Sequence, residues 1–294
     1  MKLLVNLVLL SLLFSCTKKK FVEDKVFAGG VFASAETLNK GHEIYQIHCM
    51  ACHGVDGDGK GVAHAGSLVP PRDLRQGQYK FGQVEAGQLP HDEHFYRILE
   101  HGLKGTAMLP WDLSEDQMFQ VVQYIKTFAP DTWVGKDIEL GEEIIPTRDP
   151  WGSPHRQSAI NRGREVYHTE ANCQACHMGY VNLFEYNELI DEAYGYTVNE
   201  LDPDFFHVKP QFTDYDYMNI PPDFTWHEMR LIESIEDIYV RLAAGVGGTT
   251  MPPWRGVLAD EDIWALAYYV DYLSKYKDSP KREEFMNHIR GEDY

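Results

Sequence analysis

Cys49-Met50-Ala51-Cys52-His53 and Cys173-Gln174-Ala175-Cys176-His177 are the two stretches on which the reading of this chain turns. Each sets two thiols three positions apart and puts an imidazole directly after the second. They account for four of the five cysteines and leave Cys16 alone at the end of an apolar run. Outward from the two pentapeptides the surroundings match. Upstream stand Gly41 with Tyr45 and Gly163 with Tyr167. Downstream stand Gly105-Thr106-Ala107-Met108-Leu109-Pro110-Trp111 and Gly248-Thr249-Thr250-Met251-Pro252-Pro253-Trp254. The same elements in the same order mark an internal duplication, and the rest of the chain is organised around it.

C-x-x-C-H is the attachment signature for covalent haem. The two thiols add to the vinyl groups, and the adjacent histidine lies under the iron. That assigns Cys49, Cys52, Cys173 and Cys176 to attachment and His53 and His177 to one axial side. The other side needs a ligand from elsewhere in the chain. A thioether is a soft ligand, and Met/His ligation raises the reduction potential. Met108 follows His53 by 55 positions and Met251 follows His177 by 74, both in Gly-Thr-x-Met-x-Pro-Trp contexts whose proline stiffens the loop. Core packing is the common fate of methionine, and core or surface roles are the reading for Met118, Met178, Met218, Met229 and Met286, which lack that context. A four-cysteine zinc site is the alternative for the thiols. It would have to span 120 intervening residues, and it leaves the histidines and both methionine loops without a role.

Apolar periodicity predicts helices over Glu36–Met50 and Ala159–Cys173 leading into the two motifs. Short amphipathic helices follow at His91–His101 and Ile235–Ala244. After each Pro-Trp comes another helix: one capped by Ser114 and running to Phe128, the other from Asp260 to about Tyr276. Residues 131–155, with Pro146, Pro150 and Pro154 among charged positions, read as an interdomain linker. The second half has an extra stretch over 178–220, rich in Tyr, Phe, Asp and Glu. It reads as a loop over its own domain or as an aromatic docking surface.

Each half resembles a class I cytochrome c domain. The resemblance rests on the two C-x-x-C-H motifs, the Gly/Tyr pairs, the methionine loops and two proline loops, Pro70-Pro71-Arg72-Asp73-Leu74 and Pro221-Pro222-Asp223-Phe224. It implies an all-α fold of two tandem helical domains, each wrapped around a covalently bound haem, with the first and last helices of each domain crossing. It also implies that a carbonyl of the proline loop takes the hydrogen bond of the axial histidine, so Pro71 and Pro222, with Trp111 and Trp254 beside the methionines, are expected behind the ligands. The expected organisation is a signal peptide over 1–15, a lipid-anchored tether over 16–34, domains at 35–130 and 156–276 around the linker, and a charged tail at 277–294.

The formal charge is 27 − 45 = −18, which disfavours nucleic acid and anionic lipid as main partners. Lys2 followed by the apolar run Leu3–Phe14 reads as an export signal too short to span a bilayer. Leu13-Phe14-Ser15-Cys16 resembles a lipobox with Cys16 as the lipidated residue, and simple secretory cleavage is the alternative. The expectation is a dihaem electron carrier with two haem c groups and their iron, in the periplasm or cell envelope and anchored to the membrane by lipid. It would exchange electrons with a redox protein donor and acceptor in a respiratory chain, as a shuttle or as the cytochrome subunit of a larger oxidoreductase, without a catalytic site of its own. A dihaem cytochrome c peroxidase and a haem-based gas-binding or sensory module are the competing readings; both need an open axial position.

Other motif fragments fail at a required residue. Gly54–Gly61 imitates a phosphate loop, but Gly61 stands where Ser or Thr is needed, and its EF-hand likeness ends at Ser67. His42-Glu43 and His227-Glu228 lack the second zincin histidine, with Gln46 and Leu231 in its place. His91 and His94 are expected as solvated histidines at a helix start.

Overall fold

The computed structural model describes residues 19–291; the signal segment and Cys16 lie outside the described residues. The first half begins with a hairpin of β1 (Lys25–Phe27) and β2 (Val31–Ala33), antiparallel with Val26 opposite Phe32. It continues with α1 (Ala35–His48), α2 (Met50–His53), α3 (Asp92–His101), α4 (Glu115–Lys126) and α5 (Pro130–Trp133). The second half contains α6 (Arg156–His168), α7 (Leu183–Tyr194), a small hairpin of β3 (Gln211–Phe212) and β4 (Met218–Asn219), α8 (Ile235–Ala244), α9 (Asp260–Ser274) and α10 (Lys281–Arg290). None of the described helices is long and apolar enough to cross a membrane.

The helices start where the sequence supplies caps. Ser34 accepts from Thr37 N–H. Ser114 with Gln117, and Ser234 with Asp237, form reciprocal capping boxes that satisfy otherwise orphaned amides. Two equivalent helix pairs then form the cores, α1 across α4 and α6 across α9. Gly41 and Gly163 sit at the crossings, where a Cβ would run into the backbone carbonyls of Gln120 and Ala265. Only glycine lets the helices approach this closely. Tyr45 and Tyr167, one turn on, are buried against Tyr124 and Tyr269.

Three segments differ from the expectation. Residues 25–33, assigned to a tether, are folded: Phe27 and Ala28 are fully buried and Phe27 bridges Val134. The linker is not a free spacer. Trp133 belongs to the first core and Ile144 to the second, and Ile144 N–H donates to Gln83 O at 2.7 Å. The tail carries α10, whose Met286 and Ile289 insert into the second core. In each case a few apolar residues in a polar stretch suffice to anchor it, which composition averages hide. The methionines without loop context divide as expected, with Met118, Met178 and Met286 buried and Met218 exposed. His94 does not: it is buried and its Nδ1 accepts from His91 N–H, completing the cap of α3.

The two halves touch along the 79–88 segment and α8. Ala86 N–H donates to Ala244 O at 2.8 Å, and Arg97 pairs with Asp237 at 2.6 Å. The Arg241 guanidinium lies over the Phe81 ring. The extra stretch of the second half contributes its β3–β4 turn to this contact. Tyr215 stacks under the Arg72 guanidinium of the first half, 3.2 Å from ring centre to guanidinium carbon, while its hydroxyl donates to Gly247 O at 2.8 Å. The β3–β4 turn of this stretch joins the two domains, while Phe184, Tyr194, Tyr196, Phe212 and Ile220 elsewhere in it are exposed.

Candidate functional site

The first attachment motif lies at the end of a long helix; the second follows α6 after a turn over 169–172, so that helix ends at His168 and not at the expected Cys173. α1 delivers Cys49 and α2 winds the next four residues, with His53 N–H donating to Cys49 O at 2.9 Å. In the second half a 3₁₀ turn over Cys173–Ala175 plays that part, and His177 N–H donates to Cys173 O, also at 2.9 Å. The tyrosines of the crossing helices hold the turn that follows: Tyr45 Oη donates to Gly54 O and Tyr167 Oη to Met178 O. None of the four motif cysteines is paired in a disulfide. Burial pushes the Cys49 and Cys173 thiols up to about 12, with the neighbouring cysteine adding to the shift. Among the described residues no three His, Cys, Asp or Glu side chains converge to hold a metal ion, and the two thiol pairs do not meet.

The histidines are fixed in one tautomer. His53 Nδ1–H donates to Arg72 O at 3.0 Å and His177 Nδ1–H to Pro222 O at 3.0 Å. Burial holds both imidazoles below their ordinary range, so they are neutral and each keeps the Nε2 lone pair for a metal. The carbonyl behind His53 belongs to Arg72 and not to Pro71. Aligning the two proline loops on Asp73 and Asp223 would have found it, because Arg72 then stands opposite Pro222. The ring of Phe224 stacks on His177 at 4.7 Å, and Leu74, its counterpart, is buried in the first half.

The methionine loops are built alike, hydrogen bond for hydrogen bond. Thr106 Oγ1 donates to Leu103 O and accepts from Met108 N–H; Thr249 Oγ1 donates to Val246 O and accepts from Met251 N–H. Met108 O and Met251 O accept from Leu103 N–H and Val246 N–H. Trp111 N–H and Trp254 N–H tie back to Leu99 O in α3 and Leu242 O in α8. The conserved-looking Gly-Thr-x-Met-x-Pro-Trp string is thus a self-bonded loop that presents one thioether.

In the first half a cleft, partly open to solvent, brings Cys49, Cys52, His53, Met108 and Trp111 together. Its walls are apolar, with Leu74, Phe95, Leu99 and Val122 among them, and its polar part holds Tyr79, Arg72, Lys80, Tyr217 and Arg230. Two thiols, a neutral imidazole, a thioether and an apolar slot match the chemistry of haem c, so the residues present fit the group. The second half brings Met251, Trp254, Cys173 and Phe224 to one core cluster.

Sequence reasoning missed the polar groups behind these ligands. Asp223, next to Pro222, is buried and accepts from Tyr180 Oη, Thr225 and Arg282. Tyr215, Tyr217 and Arg230 lie far in sequence from the first motif, and no local pattern announces their contact with it.

Comparison with known proteins agrees with this geometry. Residues 38–129 match the family "Cytochrome c", and residues 158–270 match "Cytochrome C oxidase, cbb3-type, subunit III". No curated protein matches. Among solved structures, a chain of the Kuenenia stuttgartiensis reducing HAO-like protein complex Kustc0457/Kustc0458 is similar, with a TM-score of 0.61 and 29% identity. The match covers 80% of this chain and 95% of that one. With these two matches and two attachment motifs, the chain contains two cytochrome c domains in tandem, which implies two covalently bound haem c groups and supports electron transfer.

Proposed function

We propose that both irons are six-coordinate, His53 with Met108 and His177 with Met251, and that the chain relays electrons in a respiratory chain of the cell envelope. It would act as a shuttle or as the cytochrome subunit of a larger oxidoreductase, tethered through Cys16. The observation that carries the reading is the pair of equivalent, self-bonded methionine loops, with Met108 sharing a cleft with His53 and the Nδ1–H of both His53 and His177 already committed. Haem supplies reversible one-electron chemistry at the iron. The chain supplies the ligands, excludes water with Leu99, Phe95 and their neighbours, and holds each imidazole by a carbonyl so that it does not rotate between oxidation states. With both axial sides filled from the chain, neither site offers a place for peroxide or a gas. The leader and Cys16 support an envelope location, and the similarity to a chain of a reducing HAO-like complex supports assembly with a larger redox partner.

The test is an oxidised and reduced absorption spectrum of the haem-loaded protein with haem counted per chain. Two low-spin haems, with the weak long-wavelength sulfur-to-iron band intact, are expected, and Met108→Ala and Met251→Ala should each remove about half of that band. A high-spin site, carbon monoxide binding at neutral pH or peroxide turnover in the unaltered protein would overturn the reading.

A further inference from the structure

The polar end of the first cleft is unusual for this chain. Arg72, Lys80 and Arg230 line it together in a protein of net charge −18, yet among the described residues none of the three has a carboxylate within ion-pair distance. Arg72 has its guanidinium on the Tyr215 ring, and Lys80 Nζ reaches the amide oxygen of Asn219 at 3.4 Å and lies over the Tyr215 and Tyr217 rings, 5.3 and 5.1 Å from their centres. Burial, and then the like charges of Arg72 and Arg230, push the Lys80 ammonium down to about 8. Tyr79 Oη is buried beside Trp133 Nε1 without either reaching hydrogen-bond geometry. Half-buried cations that repel one another, next to an orphaned hydroxyl, call for an anion with several acceptor atoms. Haem has two carboxylates, its propionates, on an otherwise apolar ring, and the remaining walls of the cleft are apolar.

We infer that the haem of the first domain is held by both domains: Arg230 and Tyr217 of the second close the cationic end of the cleft, with Arg72, Lys80 and Tyr79 of the first, around its propionates. The second domain is thereby part of the first haem's site, and its docking sets that haem's potential. Arg230 and Lys80 place positive charge near the iron, which disfavours the oxidised form and raises the potential. This rests on attachment at Cys49 and Cys52 with Met108 as ligand. A haem count and a low-spin spectrum of every variant separate failure of that reading from failure of this one.

The experiment is spectroelectrochemical titration of the full-length, haem-loaded protein, with the first haem's wave identified as the one that falls in Met108→His. Arg230→Gln should lower the first haem's one-electron equilibrium constant at least threefold, about 28 mV at about 59 mV per tenfold, and leave the second unmoved. Arg230→Lys should restore most of it. The propionate bending mode in the resonance Raman spectrum should shift in Arg230→Gln and in Tyr217→Phe. Should Arg230→Gln not accumulate with two haems, Tyr217→Phe makes the test from the second domain, read at the propionate mode with the same expected outcome. An unmoved first potential and an unmoved propionate mode, or equal shifts at both haems, would overturn the inference.

Discussion

The two domains present their ligands in the same way and support them differently. Each has a glycine at a helix crossing, a tyrosine holding the turn after the motif, a carbonyl behind the histidine and a threonine-bonded methionine loop. The first domain braces this frame with a buried ion pair between Lys126 and Asp92, joining α4 to α3 below Trp133, and leaves one end of its cleft to be closed by its neighbour. The second braces it locally: Asp223, beside the histidine's carbonyl partner, is tied to Tyr180 and, through Arg282, to α10. What is duplicated is the frame around each attachment motif and methionine loop. What has diverged is the support: the second domain ties its histidine's carbonyl loop to its own α10, and the first takes Tyr217 and Arg230 of its neighbour into its cleft.

The largest effect should come from the shared part. Gly41→Ala and Gly163→Ala each drive a methyl group into a backbone carbonyl that cannot move without separating the crossing helices. A loss on the order of 4 kcal/mol is expected for each, at the exceptional end for single substitutions. Denaturant unfolding followed at the haem absorbance should show the same loss in either variant. Unequal losses would mean that the crossings are not equivalent. Removing residues 279–294 should sharpen the contrast. Met286 and Ile289 leave the second core, together worth about 3 kcal/mol at the low end for buried side chains. Differential scanning calorimetry should then show the second domain melting earlier; a matched fall in the first would contradict its independence of α10.

The duplicated frame was legible in the sequence because it is written locally. C-x-x-C-H, Gly-Thr-x-Met-x-Pro-Trp and the Ser-capped helices are each determined within a dozen residues, and repetition doubles every signal. The helix bounds follow to within a few residues, as at Asp260–Ser274. The supports were not legible because their partners are distant: Arg282 meets Asp223 across 59 positions, Arg97 meets Asp237 across 140, and Lys126 is buried on Asp92 although lysine ordinarily signals surface. Residues 25–33 and 281–290 read as polar ends because two or three apolar anchors do not register in a composition average.

A smaller effect separates the domains by pH. His168, in the second domain, is buried; its Nδ1–H donates to Arg164 O at 2.7 Å and its Nε2 accepts from Tyr180 N–H at 3.2 Å. Burial lowers it from its usual 6.5 to about 3. The folded state therefore keeps it neutral while the unfolded chain takes up a proton below about 6.5. Its share of stability is present above that pH and is lost progressively as pH falls toward 3. At pH 5 the loss is about 2 kcal/mol, from 1.36 kcal/mol per unit. His168→Gln can make both hydrogen bonds without titrating, so it should flatten the acid side of the second domain's stability curve. Equal slopes in the two proteins between pH 7 and 5 would assign the acid sensitivity elsewhere.

The smallest effect tests the seam between the domains. Tyr215 is the side chain that touches both ligand frames: its hydroxyl bonds Gly247 at the root of the Met251 loop, and its ring carries Arg72, whose carbonyl holds His53. Tyr215→Phe removes one hydrogen bond and keeps the stack, for about 1 kcal/mol. Tyr215→Leu removes both, adding about 0.5–1 kcal/mol from the lost cation–π contact. If the seam transmits between the frames, Phe should disturb only the second haem's sulfur-to-iron band, and Leu should also shift the first haem's potential. Should Leu act on the second haem alone, the ring under Arg72 is only filling space, and the dependence of the first domain on its neighbour rests on Arg230 and Tyr217.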